Sequence, residues 1–338
     1  MHFAFDDQQL EFRDQLRAFT DNECTPAQLR EAWASDLGWS RPRWKALADM
    51  GVVGLTVPAE HGGLGLGLVD LVLLLEEAGR AGLPEPLLET TALAAPALAS
   101  LPALAPHWLG PLAAGDAVVG VGLSSMAAVP AALGADLLLL EHDGELHAVP
   151  AGRATLTPRP ALDGARRLAE VAWEPSAGTR ALSGEAAAAA LGALEARAAM
   201  ACAAELVGIA ARLVSTGARY AAERVQFGKP IGSFQAVKHM LADALVAVEF
   251  ARPAVYRAAW SLDAGDPDAP LHASMAKALA SEAASGAART ALQVHGAVGY
   301  TWEHDLQLWM KRAWALAAAW GDAADHRARV LDALAARG

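Results

Sequence analysis

Alanine sets the strongest limit on how this chain can fold. Of its 338 residues 54% are hydrophobic, mostly alanine with leucine and valine. Alanine is the best helix former, and its single methyl lets neighbouring helices pack closely. The pattern predicts helices over Gly184 to about Glu223, Ser233 to about Ala264, Pro270 to about His295 and about Glu303 to Trp320, with a fifth closing the chain. Pro253 should kink the second of these, because proline has no amide to donate and its ring crowds the preceding turn. Long up-and-down helices joined by short loops make a four-helix bundle of residues 179–338.

The rest of the chain divides into two parts. Residues 1–112 read as a helical domain, with helices over Asp7–Thr20, Pro42–Met50, Asp70–Ala81 and Leu87–Leu101. Val57-Pro58-Ala59-Glu60-His61-Gly62-Gly63-Leu64-Gly65 is a turn-rich loop between them, since glycine and proline resist both helix and strand. Residues 113–178 turn to β character. Val118–Leu123 is an apolar run of strand length. Leu137–Leu140 and Leu146–Val149 flank Asp143-Gly144, a dipeptide that supplies the positive φ angles of a hairpin turn. Val171–Trp173 is a further short strand. The expected fold is α+β and mainly α: an N-terminal helical domain, a small abbreviated middle β-domain and a C-terminal bundle.

Charge and cysteine content exclude several functions. A net charge of −11 argues against nucleic acid as a partner. It also disfavours CoA, a polyanion, unless arginines gather locally. Cys24 and Cys202 form no disulfide framework, and Cys202, in an alanine-rich stretch, reads as a small buried hydrophobe. Met1-His2-Phe3-Ala4-Phe5-Asp6-Asp7 lacks the basic-then-apolar pattern of a signal peptide. No apolar run reaches the roughly 18 residues that span a bilayer. The expectation is a cytoplasmic, soluble protein.

Two segments carry chemistry. In Arg224-Val225-Gln226-Phe227-Gly228-Lys229-Pro230-Ile231-Gly232-Ser233-Phe234-Gln235, a helix ends, a glycine- and proline-bearing loop follows and a helix restarts. Arg224 can grip a pyrophosphate with its planar fork. Phe227 offers a face to an adenine or ribose. Gln235 lies in a first turn whose free amides favour an anion. Taken alone, the pattern reads first as an ordinary helix-loop-helix corner. In Gln293-Val294-His295-Gly296-Ala297-Val298-Gly299-Tyr300 the glycines let a phosphate-bearing ligand approach the backbone, or simply cap a helix.

Together these segments resemble the C-terminal domain of the acyl-CoA dehydrogenases, FAD enzymes that desaturate acyl-CoA thioesters. His239, Asp243 and Thr301-Trp302-Glu303-His304-Asp305 fit the same pattern, and so does the Val57–Gly65 loop. The resemblance covers nearly the whole chain and is closest to members from steroid-degrading actinobacteria. It implies that Arg224, Phe227, Gln235, Gln293, Gly296, Ala297 and Gly299 contact the adenine and diphosphate end of an FAD whose ring lies in a neighbouring subunit. Ala297 stands where the family has a second glycine.

Other family features are missing. The chemistry needs a carboxylate near the thioester α-carbon, with its pKa matched to proton abstraction. The family places that glutamate at one of two positions, which here fall on Trp320 and Ala198. Ala199 stands where a CoA-contacting arginine often lies. Glu195 and Arg197 are close by, but a helix turns about 100° per residue and should point them elsewhere. Glu205 reads as an ion-pair member. The flavin-ring loop of Thr-Glu-Pro-x-x-Gly-Ser-Asp type is replaced by Ser124-Ser125-Met126 and an alanine-rich stretch, and the strand that covers the flavin is not visible. The resemblance thus implies a non-catalytic subunit of an α2β2 acyl-CoA dehydrogenase, with a partner subunit supplying the base, the ring pocket and most of the acyl-CoA site. Two alternatives remain: a self-sufficient dehydrogenase using a displaced acid (Asp322, Glu195 or Glu303), or a flavin-free scaffold subunit. No metal site is expected.

Overall fold

The computed structural model describes residues 4–337. The reading of the N-terminus as no signal peptide rests partly on Met1, His2 and Phe3, which lie outside the described residues. Helices α1 (Asp7–Glu23), α2 (Pro26–Ala34), α3 (Arg41–Asp49) and α4 (Leu68–Ala81) come first. A π-helical stretch over Leu88–Ala94 runs into α5 (Ala95–Ala99), and α6 (Ala105–Ala113) follows. Strands β1 (Val119–Gly122), β2 (Val129–Pro130), β3 (Leu137–His142) and β4 (Glu145–Pro150) open the β-region. Strands β5 (Thr155–Arg159), β6 (Leu168–Ala172) and β7 (Arg180–Leu182) complete it. After α7 (Gly184–Glu223), a small hairpin of β8 (Val225–Gln226) and β9 (Lys229–Pro230) leads to α8 (Gln235–Asp263). The chain closes with α9 (Ala269–His295), α10 (Leu306–Ala318) and α11 (Ala323–Ala335). These elements form two compact units: Met1–Leu29, Val72–Leu83 and Ala199–Gly338 in one, Arg30–Leu71 and Pro84–Ala198 in the other.

The first unit is the helical bundle, and its core is largely alanine. On α9 the residues Ala273, Ala276, Ala280, Ala284, Ala287, Ala288 and Ala291 have no exposure at all. Small side chains let α9 lie along α8, α10 and α11. Helices α4 and α7 cross with their backbones close together at two glycines. A Cβ on Gly79 would stand 2.0 Å from the Glu205 carbonyl oxygen, and one on Gly208 would stand 1.8 Å from that of Glu76. Polar bonds flank this crossing. Glu76 accepts from Arg252 Nε at 3.0 Å and from the Tyr256 hydroxyl at 2.8 Å. Glu77 accepts from both Arg17 and Arg80. Helix ends are capped by short polar residues. Asp6 and Gln9 close a capping box on α1, and Asp322 and Asp325 close one on α11.

One expectation about these helices is corrected, that no apolar stretch is long enough to span a bilayer. α8 is a single helix from Gln235 to Asp263 with Pro253 inside it. The flanking residues Val248, Ala251 and Val255 are buried and hold the turn against its lost hydrogen bond. α7 is long and apolar enough to cross a membrane by composition, contrary to the run-length count, because alanine-rich windows tolerate a scattered charge. That window is mostly buried inside the protein, as expected of a core helix.

The second unit holds the β-region. One sheet has the order β1-β3-β4-β7, with β1 parallel to β3, and the other has the order β2-β6-β5. The expected hairpin forms between β3 and β4, where His142 pairs with Glu145 across Asp143 (φ 48°) and Gly144 (φ 74°). Positive φ at both turn residues gives the turn whose twist matches the strands. The strand expected over Val171–Trp173 is shifted to Leu168–Ala172. Strands β2, β5 and β7 have weak signals, being two, five and three residues long and partly polar. The helix expected over Leu87–Leu101 is π-helical in its first half, where the Ala95 amide bonds back to the Thr90 carbonyl, five residues away. Pro96 follows at once and supplies no amide of its own.

Gly208→Ala tests the packing of the bundle. Its methyl collides with backbone, so α4 and α7 must separate. The substitution should destabilise the protein by about 1–3 kcal/mol, read as a lower urea midpoint.

Candidate functional site

Both sequence-predicted segments lie at one end of the helical bundle. Tyr220, one turn before Arg224, stacks on His295 with ring centroids 4.2 Å apart. Gly217, one turn further back on α7, faces both Ala291 of α9 and Leu241 of α8. The end of α7, the end of α9 and the start of α8 therefore meet. His295 is buried, bonds to the Ala291 carbonyl through Nδ1 at 2.7 Å and meets the ring of His304 at 4.9 Å. Burial pushes its pKa below the ordinary histidine value, with His304 and Arg219 adding to the effect. His295 belongs to the second segment, whereas Tyr220 carries no signal in the sequence beyond its nearness to the first.

The loop after α7 is a hairpin, which the sequence reading did not anticipate. Gln226 pairs with Lys229 across Phe227 (φ 53°) and Gly228 (φ 76°). The Ile231 amide bonds to the Arg224 carbonyl at 2.8 Å and closes the hairpin's base. Phe227 sits at the tip, is 91% exposed and meets Phe234 edge-on. Lys229 lies over the Phe234 ring at 4.4 Å. Arg224 is exposed. Gln235 is exposed at the first position of α8, whose N-terminus has no side-chain cap.

The turn after α9 shows why each glycine is there. Gly296 has φ 65° and ψ −145°, a conformation essentially confined to glycine, and a Cβ there would meet nothing within 4 Å. The open side of this residue is backbone facing outward. Gly299 is buried, and a Cβ there would crowd Leu292 at 3.0 Å and His295 at 3.1 Å. Gln293 and Ala297 are exposed on either side. Exposed arginine, uncapped helix amides and accessible glycine backbone together suit a phosphate-bearing group.

The two positions where the resemblance puts a base hold no carboxylate. Ala198 has no exposure, and Ala199 next to it is 1% exposed. Trp320 has φ 58°, uncommon for a bulky residue. Its loop is held from below. Lys277, fully buried, donates to the carbonyls of Gly321 at 2.9 Å and Ala317 at 3.1 Å and to Ser281 Oγ at 3.1 Å. His326 Nε2 bonds to the Trp320 carbonyl at 2.9 Å. A lone lysine inside an alanine-rich helix was the available signal for Lys277.

The nearby acids have structural tasks. Glu205 forms a buried ion pair with Arg312 at 3.2 Å, as its position in the sequence suggested. Asp322 accepts the Ala324 and Asp325 amides at the start of α11, which holds its carboxyl below the usual range. Glu195 is half-buried and Glu303 exposed, and both have partners. Within the second unit, the loop after β1 lines a cleft of about 400 Å³ with Glu141, Glu170 and Trp173. The Ser124 amide of that loop is taken by Glu141 at 3.0 Å. Among the described residues no cluster of three or more metal-ligating side chains occurs.

Comparison with known proteins decides the family. The acyl-CoA dehydrogenase C-terminal domain matches residues 167–335, and the N-terminal domain matches residues 6–116. The chain belongs to the acyl-CoA dehydrogenase family. FAD is the cofactor of this oxidoreductase family. The acyl-CoA dehydrogenase IpdE2 of Mycolicibacterium smegmatis is 37% identical over 89% of this chain and 90% of its own length. The ChsE4-ChsE5 complex from Mycobacterium tuberculosis contains a chain with TM-score 0.88 and 28% identity, covering 99% of both chains. A Tcur3481-Tcur3483 steroid ACAD gives TM-score 0.88 and 25% identity over 97% of this chain and 98% of its own.

His326 makes the loop below Trp320 sensitive to pH. Burial lowers its pKa from 6.5 to about 4. The unfolded chain therefore binds this proton between pH 6.5 and 4 while the folded protein does not. Stability should be full above pH 6.5 and fall as pH drops toward 4. His326→Gln, which keeps a donor for the Trp320 carbonyl, should flatten that fall, measured as urea midpoints at pH 7.5 and 5.

Proposed function

We propose that this chain is the non-catalytic subunit of an FAD-dependent acyl-CoA dehydrogenase assembled as an α2β2 heterotetramer. In this reading residues 1–112, 113–178 and 179–338 correspond to the family's three domains. The observation that carries it is the absence of a carboxylate at both base positions, Ala198 and Trp320, with the surrounding acids engaged elsewhere. A general base needs a pKa near the working pH. Asp322 is shifted the opposite way by two backbone amides.

The chain's contribution is to hold one end of the cofactor. Arg224 would clamp the FAD diphosphate with a charge-assisted, bidentate contact. The uncapped start of α8 at Gln235 adds amide dipoles for the same anion. The turn from Gln293 through Gly296, Ala297 and Gly299 lets the diphosphate and ribityl chain lie on backbone, and Phe227 at the hairpin tip offers a face to the adenine or ribose. FAD, when bound, accepts the hydride from the substrate β-carbon. A partner subunit of the same family would carry the glutamate, the ring pocket and most of the CoA site. The acidic lining and occupied amide of the loop after β1 support placing the ring elsewhere.

Heteromeric assembly is supported by the likeness to the ChsE4-ChsE5 complex, and a steroid-type substrate by the likeness to the Tcur3481-Tcur3483 steroid ACAD. We infer α,β-desaturation of a bulky acyl-CoA thioester, such as a steroid side-chain CoA ester. With α7 serving as a core helix, the reading includes a cytoplasmic location.

Two experiments on the assembled complex test this. Arg224→Ala should weaken FAD binding by about 2–4 kcal/mol while leaving the fold intact, read by flavin fluorescence on dilution. Unchanged affinity would leave Arg224 a surface charge. Glu195→Gln and Asp322→Asn should each change kcat by less than about tenfold. A loss of about 100-fold or more with FAD retained would place the base in this chain.

A further inference from the structure

Arg212, midway along the bundle part of α7, is a half-buried arginine with no ion pair among the described residues. Its guanidinium lies over the Trp309 indole, 4.9 Å from the ring centroid. Its Nε is buried and has no hydrogen-bond partner. Burial, then Arg80 and Arg219, push its pKa below the ordinary arginine value, and Asp21 opposes only weakly. That aspartate is already bonded to Arg80 at 2.9 Å, and Arg80 is also bound to Glu77. Arg80 is therefore neutralised, whereas Arg212 is not.

Arg219 is exposed on the same face of α7. Seven residues make two helical turns, so the two arginines lie about 10.5 Å apart along the axis. The chain has 38 acidic against 27 basic residues, so carboxylates were available to pair them. Two guanidinium groups without ion pairs among the described residues share one face, one of them half-buried over an indole, an unfavourable arrangement that an oxyanion would relieve. Stacking on Trp309 fixes the fork before any ligand arrives, so little rotamer entropy remains to be lost.

We propose that the Arg212–Arg219 face of α7 is an anion site that takes a diphosphate. The Arg212 fork would bind one phosphate bidentately, and Arg219, two turns along, would reach the second. The site lies on a different stretch of α7 from Arg224 and does not depend on the reading of that loop. A free nucleotide and a CoA thioester both carry the required group.

Calorimetric titration of the full chain with inorganic pyrophosphate at constant ionic strength tests the proposal. In the Arg224→Ala background, which removes the proposed cofactor-diphosphate clamp, binding should saturate at one per chain and weaken at least tenfold when either Arg212→Gln or Arg219→Gln is added. Arg212→Gln should melt at the same or a higher temperature, because it removes an unpaired charge. Should that variant fail to fold, Arg219→Gln, at an exposed position, decides alone. Displacement of pyrophosphate by ADP would assign the site to free nucleotides, and displacement by CoA but not ADP would assign it to the thioester. Absence of saturable binding, or equal affinity with and without the added substitutions, would overturn the proposal.

Discussion

The backbone crossing of α4 and α7 at Gly79 and Gly208 is the contact on which the helical unit depends. Any side chain at either glycine would occupy the space of a carbonyl on the other helix. The polar residues around the crossing then have fixed partners. Glu76 reaches Arg252 and Tyr256, Glu77 reaches Arg17 and Arg80, and Glu205 reaches Arg312. Because α7 is set in this way, its far end is set too, and Tyr220 meets His295 at the end of α9. The segments that suit a phosphate-bearing ligand are therefore loops on a rigid base, which is where precise binding groups are best placed.

The two positions where the family resemblance puts a base are also fixed by local packing. Trp320 and Ala198 stand where the family resemblance puts a carboxylate, and neither can accept a proton. The loop carrying Trp320 is nonetheless well held. Lys277 binds the carbonyls of Ala317, in the last turn of α10, and Gly321, and His326 binds that of Trp320, at a helix end where a cation offsets the dipole. A buried lysine and a buried histidine are expensive groups, and here they support loop backbone. On the proposal of a non-catalytic subunit, the loop is retained for shape rather than for proton transfer.

Much of this was legible in the sequence because its signals are local. Alanine runs gave the bundle helices, and Asp143-Gly144 gave the β3–β4 hairpin with both φ angles positive. Gly296 caps α9, one of the two readings its sequence context allowed. Less local features were hidden. The β8–β9 hairpin has two-residue strands, too short for alternation to register, and its turn residue Phe227 takes a positive φ that aromatic residues rarely adopt. Strands β2, β5 and β7 are held by neighbours rather than by their own pattern. The π-helical turn before Pro96 has the same apolar spacing as an α-helix over so short a run. Lys277, His326 and Arg212 acquire meaning only from what surrounds them, which no window of sequence displays.

The central claim is that one FAD requires this chain and a partner together. Flavin content and activity of the chain purified alone, against the chain co-purified with a second acyl-CoA dehydrogenase subunit, test it most directly. The account predicts a colourless, inactive protein alone and one FAD per pair in an active complex. A yellow homo-oligomer with one FAD per chain that dehydrogenates an acyl-CoA by itself would contradict it.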